Sequence, residues 1–335
     1  MKKIKLLGVI LVLFILTGCN LFKSDIMEDI DVYTTTYPTN YLIKYLYKDH
    51  ATVHSIYPTG VNFKEYELSD KKINEYAKSD LFIFNSQDIE RDYAVRMINE
   101  NKNLKLIDAA YGMSYINSLE ELWLSPYDYL MMAKNIKDSL SEYITNPYLV
   151  NEVNDNYENL KYELSRLDAL YKDTLASGTN TTIVTDNNLF KFLEKYNITV
   201  IPLEEKIITI SIKNGDTLSE ISSKYNVSVS DILTYNNKKE ENIRTGENIK
   251  IPVSIIDSSN LNKVKKLITE GKIKYIYSDS TETNTVVTKL IEDEKLELIT
   301  INTMYSIDGG ITNNNESYLT VMNDNLELLK KELYK

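Results

Sequence analysis

Few side chains in this chain could ligate, attack or transfer a proton. Among 335 residues there are two histidines and one cysteine, against 49 acidic and 38 basic residues. His50 and His54 flank a short β-rich run. Four positions along a strand would set them on one face about 13 Å apart, too far to share one ion, so both are expected at the surface, solvated or hydrogen-bonded. Glu65 and Glu67 alternate beside a turn and read as solvated charges. There is no glycine-rich phosphate loop, no nucleophile elbow and no motif that pairs two catalytic carboxylates. The usual routes of phosphoryl transfer, covalent catalysis and glycoside hydrolysis therefore lack their residues, and the chain is not expected to be an enzyme.

Cys19 belongs to a different chemistry. Lys2, Lys3 and Lys5 precede an apolar run from Leu6 to Leu16, too short for a permanent membrane span, and Leu16-Thr17-Gly18-Cys19 closes it. This end resembles a bacterial lipobox, which implies that the Cys19 thiol receives diacylglycerol and becomes the mature N-terminus. A lone cysteine inside a leader has no disulfide partner to compete for it. Residues 1–18 then form the signal peptide and 19–30 a linker. Buried acyl chains anchor at about 0.8 kcal/mol per CH₂, which puts the protein on the outer, extracellular face of the cytoplasmic membrane. Without the three lysines the net charge of −11 becomes −14. No basic stripe offsets it, so nucleic acid is excluded as a partner. The remaining chain, about 315 residues, can bury one or two proper cores without disulfides. The 26 tyrosines, beside abundant Asn, Lys and Ile, fit a compositional bias rather than a shared role.

Residues 206–253 read as a small module. An apolar strand, Ile207 to Ile212, meets the turn Asn214-Gly215-Asp216. Thr217 then stands as N-cap with Glu220 three residues on, a capping box that must start a helix. Leu218, Ile221 and Tyr225 mark the inner face. Ser228 caps a second short helix carrying Ile232 and Leu233, and Thr245-Gly246 turns into a closing strand, Asn248 to Ile251, ended by Pro252. This strand–helix–helix–strand order resembles a LysM domain along its whole length. The resemblance implies binding of N-acetylglucosamine chains of peptidoglycan or chitin in a shallow groove formed by Gly215, Asp216, Thr217 and Leu218 on one loop and Tyr235, Asn236 and Asn237 on the other. Such a groove buries little of any one ring, so several sugars would be needed.

The rest of the chain alternates strands and helices. Asp31–Thr36, Ala51–Tyr57, Asp80–Phe84 and Leu104–Asp108 are short β-rich runs separated by helical stretches such as Ser69–Lys78 and Asp88–Asn101. The scheme repeats with strands Thr181–Thr185, Thr199–Pro202, Ile273–Tyr277 and Glu297–Ile301, and helices Asn187–Tyr196, Ser258–Glu270, Glu282–Asp293 and Asn315–Leu333. Such alternation predicts the α/β class: two lobes, 31–145 and 178–205 with 254–335, each with a largely parallel sheet. Between them, 146–177 predicts one rigid helix, opened by Asn146-Pro147, closed by Ser177-Gly178, and carrying an apolar stripe over roughly 45 Å.

Two lobes, one long helix and a lipobox resemble the solute-binding proteins of zinc and manganese ABC importers. The local sequence agrees at Pro58–Ile73, Leu122–Leu140, Lys274–Thr283 and Ser317–Leu333. The family implies an ABC permease as partner and a cleft metal held by three histidines and a carboxylate. At the matching positions this chain carries Lys64, in Gly60-Val61-Asn62-Phe63-Lys64; Glu121, two residues before Trp123-Leu124-Ser125-Pro126; and Asp186. The acidic ligand falls near Asp279 or Asn302. With histidine at none of the three positions and a lysine ammonium where a cation would go, a salt bridge in place of the ion is expected, with no bound metal and the body serving as a wall-associated scaffold. The alternative is a working zinc- or manganese-binding importer subunit whose carboxylates, Glu121, Asp186 and Asp279, serve as oxygen ligands; a harder ion, Mn²⁺ or Ca²⁺, would suit that set.

Overall fold

The computed structural model of the chain describes residues 26–61, 66–86, 88–304 and 317–334. They fall into two compact units. Cys19 and Lys64 lie outside the described residues.

In the first unit, strands β1 (Ile30–Thr34), β2 (Ala51–Ser55), β3 (Leu81–Phe84) and β4 (Lys105–Asp108) form one parallel sheet in the order β2-β1-β3-β4. β3 is buried along its whole length, as expected for a parallel strand covered on both faces. Helices Asp70–Tyr76 and Asp88–Glu100 lie where periodicity put them. The sequence reading gave no element to Tyr37–Tyr47, which is a helix. Its tyrosines and isoleucine dull the helical signal, but Leu42, Ile43, Leu46 and Tyr47 recur at helical spacing and are buried. Thr36 caps it, its N–H donating to Thr39 Oγ1 at 3.2 Å. His50 closes a 3₁₀ turn ahead of β2 instead of sharing a strand with His54.

The second unit repeats the plan with β5 (Thr182–Thr185), β6 (Thr199–Pro202), β9 (Tyr275–Ser278) and β10 (Glu297–Thr300), all parallel, in the order β10-β9-β5-β6. Val184, Ile201, Leu203, Val264, Ile276, Val287 and Leu290 make its core. The segment expected as an α-helix from Asn187 is a 3₁₀ helix, Leu189–Tyr196. The Asn187 side chain competes for the backbone there, its Oδ1 accepting the Leu189 N–H at 2.9 Å. Helix Pro147–Ala176 runs 30 residues; up to Glu163 it belongs to the first unit and from Leu164 to the second. Val153, Leu160, Leu164, Leu167, Tyr171 and Leu175 of the expected stripe are buried.

Within the second unit, β7 (Lys206–Ser211) and β8 (Asn248–Ser254) pair antiparallel around helices Leu218–Tyr225 and Val229–Tyr235. Ile212, Leu218, Ile221, Val227, Ile232, Ile249 and Ile251 form a separate small core. The capping box is present: Glu220 N–H donates to Thr217 Oγ1 at 3.2 Å, and Thr217 N–H to Glu220 Oε2 at 3.3 Å. Pro252 does not end β8. The strand continues to Ser254, and the register shifts between Lys206 and Ile207, where a proline that cannot donate is accommodated.

Candidate functional site

In open parallel α/β sheets the carboxyl ends of the strands are where ligands meet loops. In the second unit those ends gather acid. Asp186 follows β5, Asp279 follows β9 and Glu204 lies two residues past β6. Asp186 is placed by its own N–H, which donates to the Tyr277 carbonyl at 3.0 Å, and by Ser278, whose hydroxyl donates to Asp186 Oδ2 at 2.5 Å. Its other oxygen, Oδ1, is buried with no hydrogen-bond partner. Burial pushes the Asp186 carboxyl up to about 7; the Ser278 hydrogen bond opposes this, and the Asp279 and Glu204 charges add to it. Asn187 Nδ2 donates to Asp279 Oδ1 at 2.8 Å, and Asn188 Nδ2 donates to Glu204 Oε2. Asp186 thus keeps one buried carboxyl oxygen without a partner while the charges of Asp279 and Glu204 act on it.

Glu121 is engaged differently. It opens the short helix Glu121–Leu124 and clamps the loop before it. Oε2 accepts the Ile116 N–H at 3.1 Å, and Oε1 accepts the Asn117 N–H at 3.0 Å and Asn117 Nδ2 at 2.7 Å. Asn302 is likewise spent on structure: its Oδ1 accepts the Met304 N–H, its N–H donates to Asn325 Oδ1, and its carbonyl accepts Asn325 Nδ2. The histidines part company. His50 meets Glu152 at 3.1 Å, whereas His54 stacks on Tyr33 and faces Asp31 at 3.7 Å. Among the described residues, no group of three or more His, Cys, Asp or Glu side chains is arranged to hold a metal ion. Glu204 was missed by the sequence reading; its placement two residues beyond a strand end is the signal that marks it.

The module's predicted groove residues have mixed fates. Gly215 adopts φ +95° with open space where a Cβ would lie, and Asp216 Oδ2 accepts the Lys213 N–H at 2.7 Å. Leu218 is core. Tyr235 donates its hydroxyl to Glu205 Oε1 at 2.8 Å. The Asn236 side chain pins the second helix to β8: Nδ2 donates to the Ile232 and Lys250 carbonyls at 2.7 Å each, and Oδ1 accepts the Lys250 N–H at 2.8 Å. Asn237 follows in left-handed conformation.

Two units with parallel sheets and acidic residues at strand ends define the α/β class of fold, and the comparison with known proteins supplies the family. Over residues 32–245 the chain matches the family described as ZnuA, Zinc-uptake complex component A periplasmic, and it belongs to that family. It is similar to the zinc-binding lipoprotein AdcA of Streptococcus pneumoniae, at 22% identity over 99% of this chain and 61% of the relative. It is also similar to the high-affinity zinc uptake system protein ZnuA of Bacillus subtilis, at 20% identity over 91% of this chain and 88% of the relative. The chain thus spans about three-fifths of the AdcA lipoprotein. The crystal structure of the Zn(II)-bound ZnuA-like domain of S. pneumoniae AdcA superposes with a TM-score of 0.65 at 20% identity, covering 92% of this chain and all of that domain. The likeness carries the two-unit α/β fold.

Two expectations are corrected by these relatives. The absence of a metal, inferred from the lost histidines, is overturned: proteins of this family are named for zinc and have been crystallised with it. The relatives favour the importer alternative over the metal-free scaffold. The membrane location read from Leu16–Cys19 agrees with the lipoprotein names.

Proposed function

We propose that this chain is the metal-capturing subunit of an ABC importer of the zinc class, held at the outer face of the membrane by Cys19, with Asp186 and Asp279 as oxygen ligands to the transported ion. The observation that carries the reading is the buried, unpartnered Oδ1 of Asp186 beside the Asp279 charge, in a chain of this family. Binding through Oδ1 would supply the partner that atom lacks, and the Ser278 hydrogen bond to Oδ2 fixes the carboxylate plane. An oxygen-only set is harder than an imidazole set, so manganese is expected to compete with zinc better than it does at a histidine site. A ligand that binds only the folded chain stabilises it by RT ln(1 + [L]/Kd), about 2.7 kcal/mol at one hundred times Kd. Zinc should therefore raise the melting temperature of the wild type and leave D186N and D279N unmoved. An unmoved wild type would refute the proposal.

The module supports a second activity beside capture. Its core is its own, and Lys206 pairs with Ser254 so that the chain enters and leaves at neighbouring points, the geometry of a tolerated insertion. The reading is a LysM-type module that grips wall glycan through the Gly215 and Asn237 loops. With residues 206–253 replaced by a short linker, the chain should keep its metal response and no longer sediment with peptidoglycan. Undiminished sedimentation would make the module a spacer.

A further inference from the structure

At the carboxyl end of the first sheet lies a buried polar knot to which the proposed metal and glycan sites assign no role. Glu90, in the first turn of helix Asp88–Glu100, is fully buried, and so is Asn85 at the end of β3. The Asn85 N–H donates to Glu90 Oε2 at 2.6 Å. Glu90 Oε1 and Asn85 Oδ1, two acceptors in the same knot, are both without a partner.

Counting hydrogens shows which way the amide must face. The Thr39 hydroxyl donates to the Thr36 carbonyl at 2.8 Å. It has no second hydrogen, so in the 3.1 Å contact between the two hydroxyls Thr36 is the donor. Thr36 Oγ1 can then only accept, and what it accepts is Asn85 Nδ2 at 3.2 Å, which also reaches Thr35 Oγ1 at 2.9 Å. A flipped amide would set an acceptor against a hydroxyl whose hydrogen is already spent. Asn85 Oδ1 is therefore left needing a donor, and Glu90 is the neighbour that can carry one.

We propose that Glu90 is held as the neutral acid, with its proton on Oε1 donated to Asn85 Oδ1, so that a single proton closes a clasp between the ends of β1 and β3. The surroundings agree. Thr35 and Thr36 face the knot from the end of β1 and Thr39 from helix Tyr37–Tyr47, and none of them titrates. The ionisable group that acts on Glu90 is Asp108, at the end of β4, and its negative charge opposes ionisation. Asp108 is itself held by the Ser86 N–H, the Ser86 hydroxyl and the Ala110 N–H. Among the described residues no Lys, Arg or His contributes, and a buried carboxylate without a cation costs several kcal/mol. The Asn85 N–H and the Thr35 hydroxyl favour the charged form, but burial outweighs them and pushes the carboxyl up to about 8. The folded group thus holds its proton more tightly than the unfolded one. Its contribution to stability is complete below the ordinary glutamate range and is lost as pH rises through about 8. The clasp is a pH-sensitive fastening at the carboxyl end of the two central strands of this sheet.

Glutamate-selective carbon-13 labelling of the full chain tests this without interference from Asp186. One glutamate carboxyl carbon should titrate above about pH 7, far from the usual value near 4.3, and its signal should vanish in E90Q. The side-chain amide that E90Q introduces would imitate the acid, donating to Asn85 Oδ1. E90Q should therefore match the wild-type melting temperature near pH 4 and exceed it by several degrees near pH 8.5. Should E90Q fail to fold, the high-titrating carbon in the wild type alone decides. Titration of every glutamate in the ordinary range would overturn the proposal, as would an E90Q melting temperature lowered equally at both pH values.

Discussion

Asn236 illustrates how a residue's type can suggest one role and its surroundings another. An asparagine after a short helix reads as a sugar contact, but here both ends of its amide are spent on backbone, joining the Ile232 turn to Lys250. Replacing it with alanine would strand those groups and should cost about 1–3 kcal/mol, seen as a lower denaturation midpoint whether or not glycan is present. Glu121 is similar. Its carboxylate holds the Ile116–Asn117 backbone, so E121A should loosen that loop and raise its amide exchange, while zinc stabilisation persists. Abolished zinc stabilisation in E121A would return Glu121 to the ligand set. Neither role is legible in sequence, because each depends on which backbone groups the fold leaves without partners.

At the scale of elements, the sequence was readable wherever a period or a cap was strong. Thr217 with Glu220, and Ser228, announced the two module helices, and both caps are made. The 30-residue helix was legible from its stripe and its Asn146-Pro147 start. Tyr37–Tyr47 escaped because tyrosine and isoleucine weaken a helical pattern that burial of Leu42, Ile43 and Leu46 then enforces. The 3₁₀ helix at Leu189–Tyr196 escaped because the Asn187 side chain claims a backbone N–H at its start. Ile232, fully buried in the module's core, sets that core's strength. I232A should cost about 2–5 kcal/mol locally and melt 206–254 ahead of the rest, as a separate transition in hydrogen exchange. A single undivided transition would show that the module has no independent core.

For the whole molecule, the two-unit α/β plan followed from alternation and from local resemblance spread along the chain. Metal capture was misjudged because histidine count was taken as the measure of a metal site. Of the proposed ligands, Asp186 was named in sequence at a histidine position of the family and Asp279 near its acidic one. What sequence could not show was that β5 and β9 are adjacent, so that Ser278 orients Asp186 and leaves Oδ1 without a donor. The same adjacency that builds the sheet brings the proposed ligands together. The most direct test is equilibrium dialysis of the untagged, chelator-stripped chain against zinc, read as bound metal per chain. Saturable binding of about one ion, lost in the D186N/D279N double variant, is the expected result. A wild type that binds no more zinc than the double variant would contradict the account.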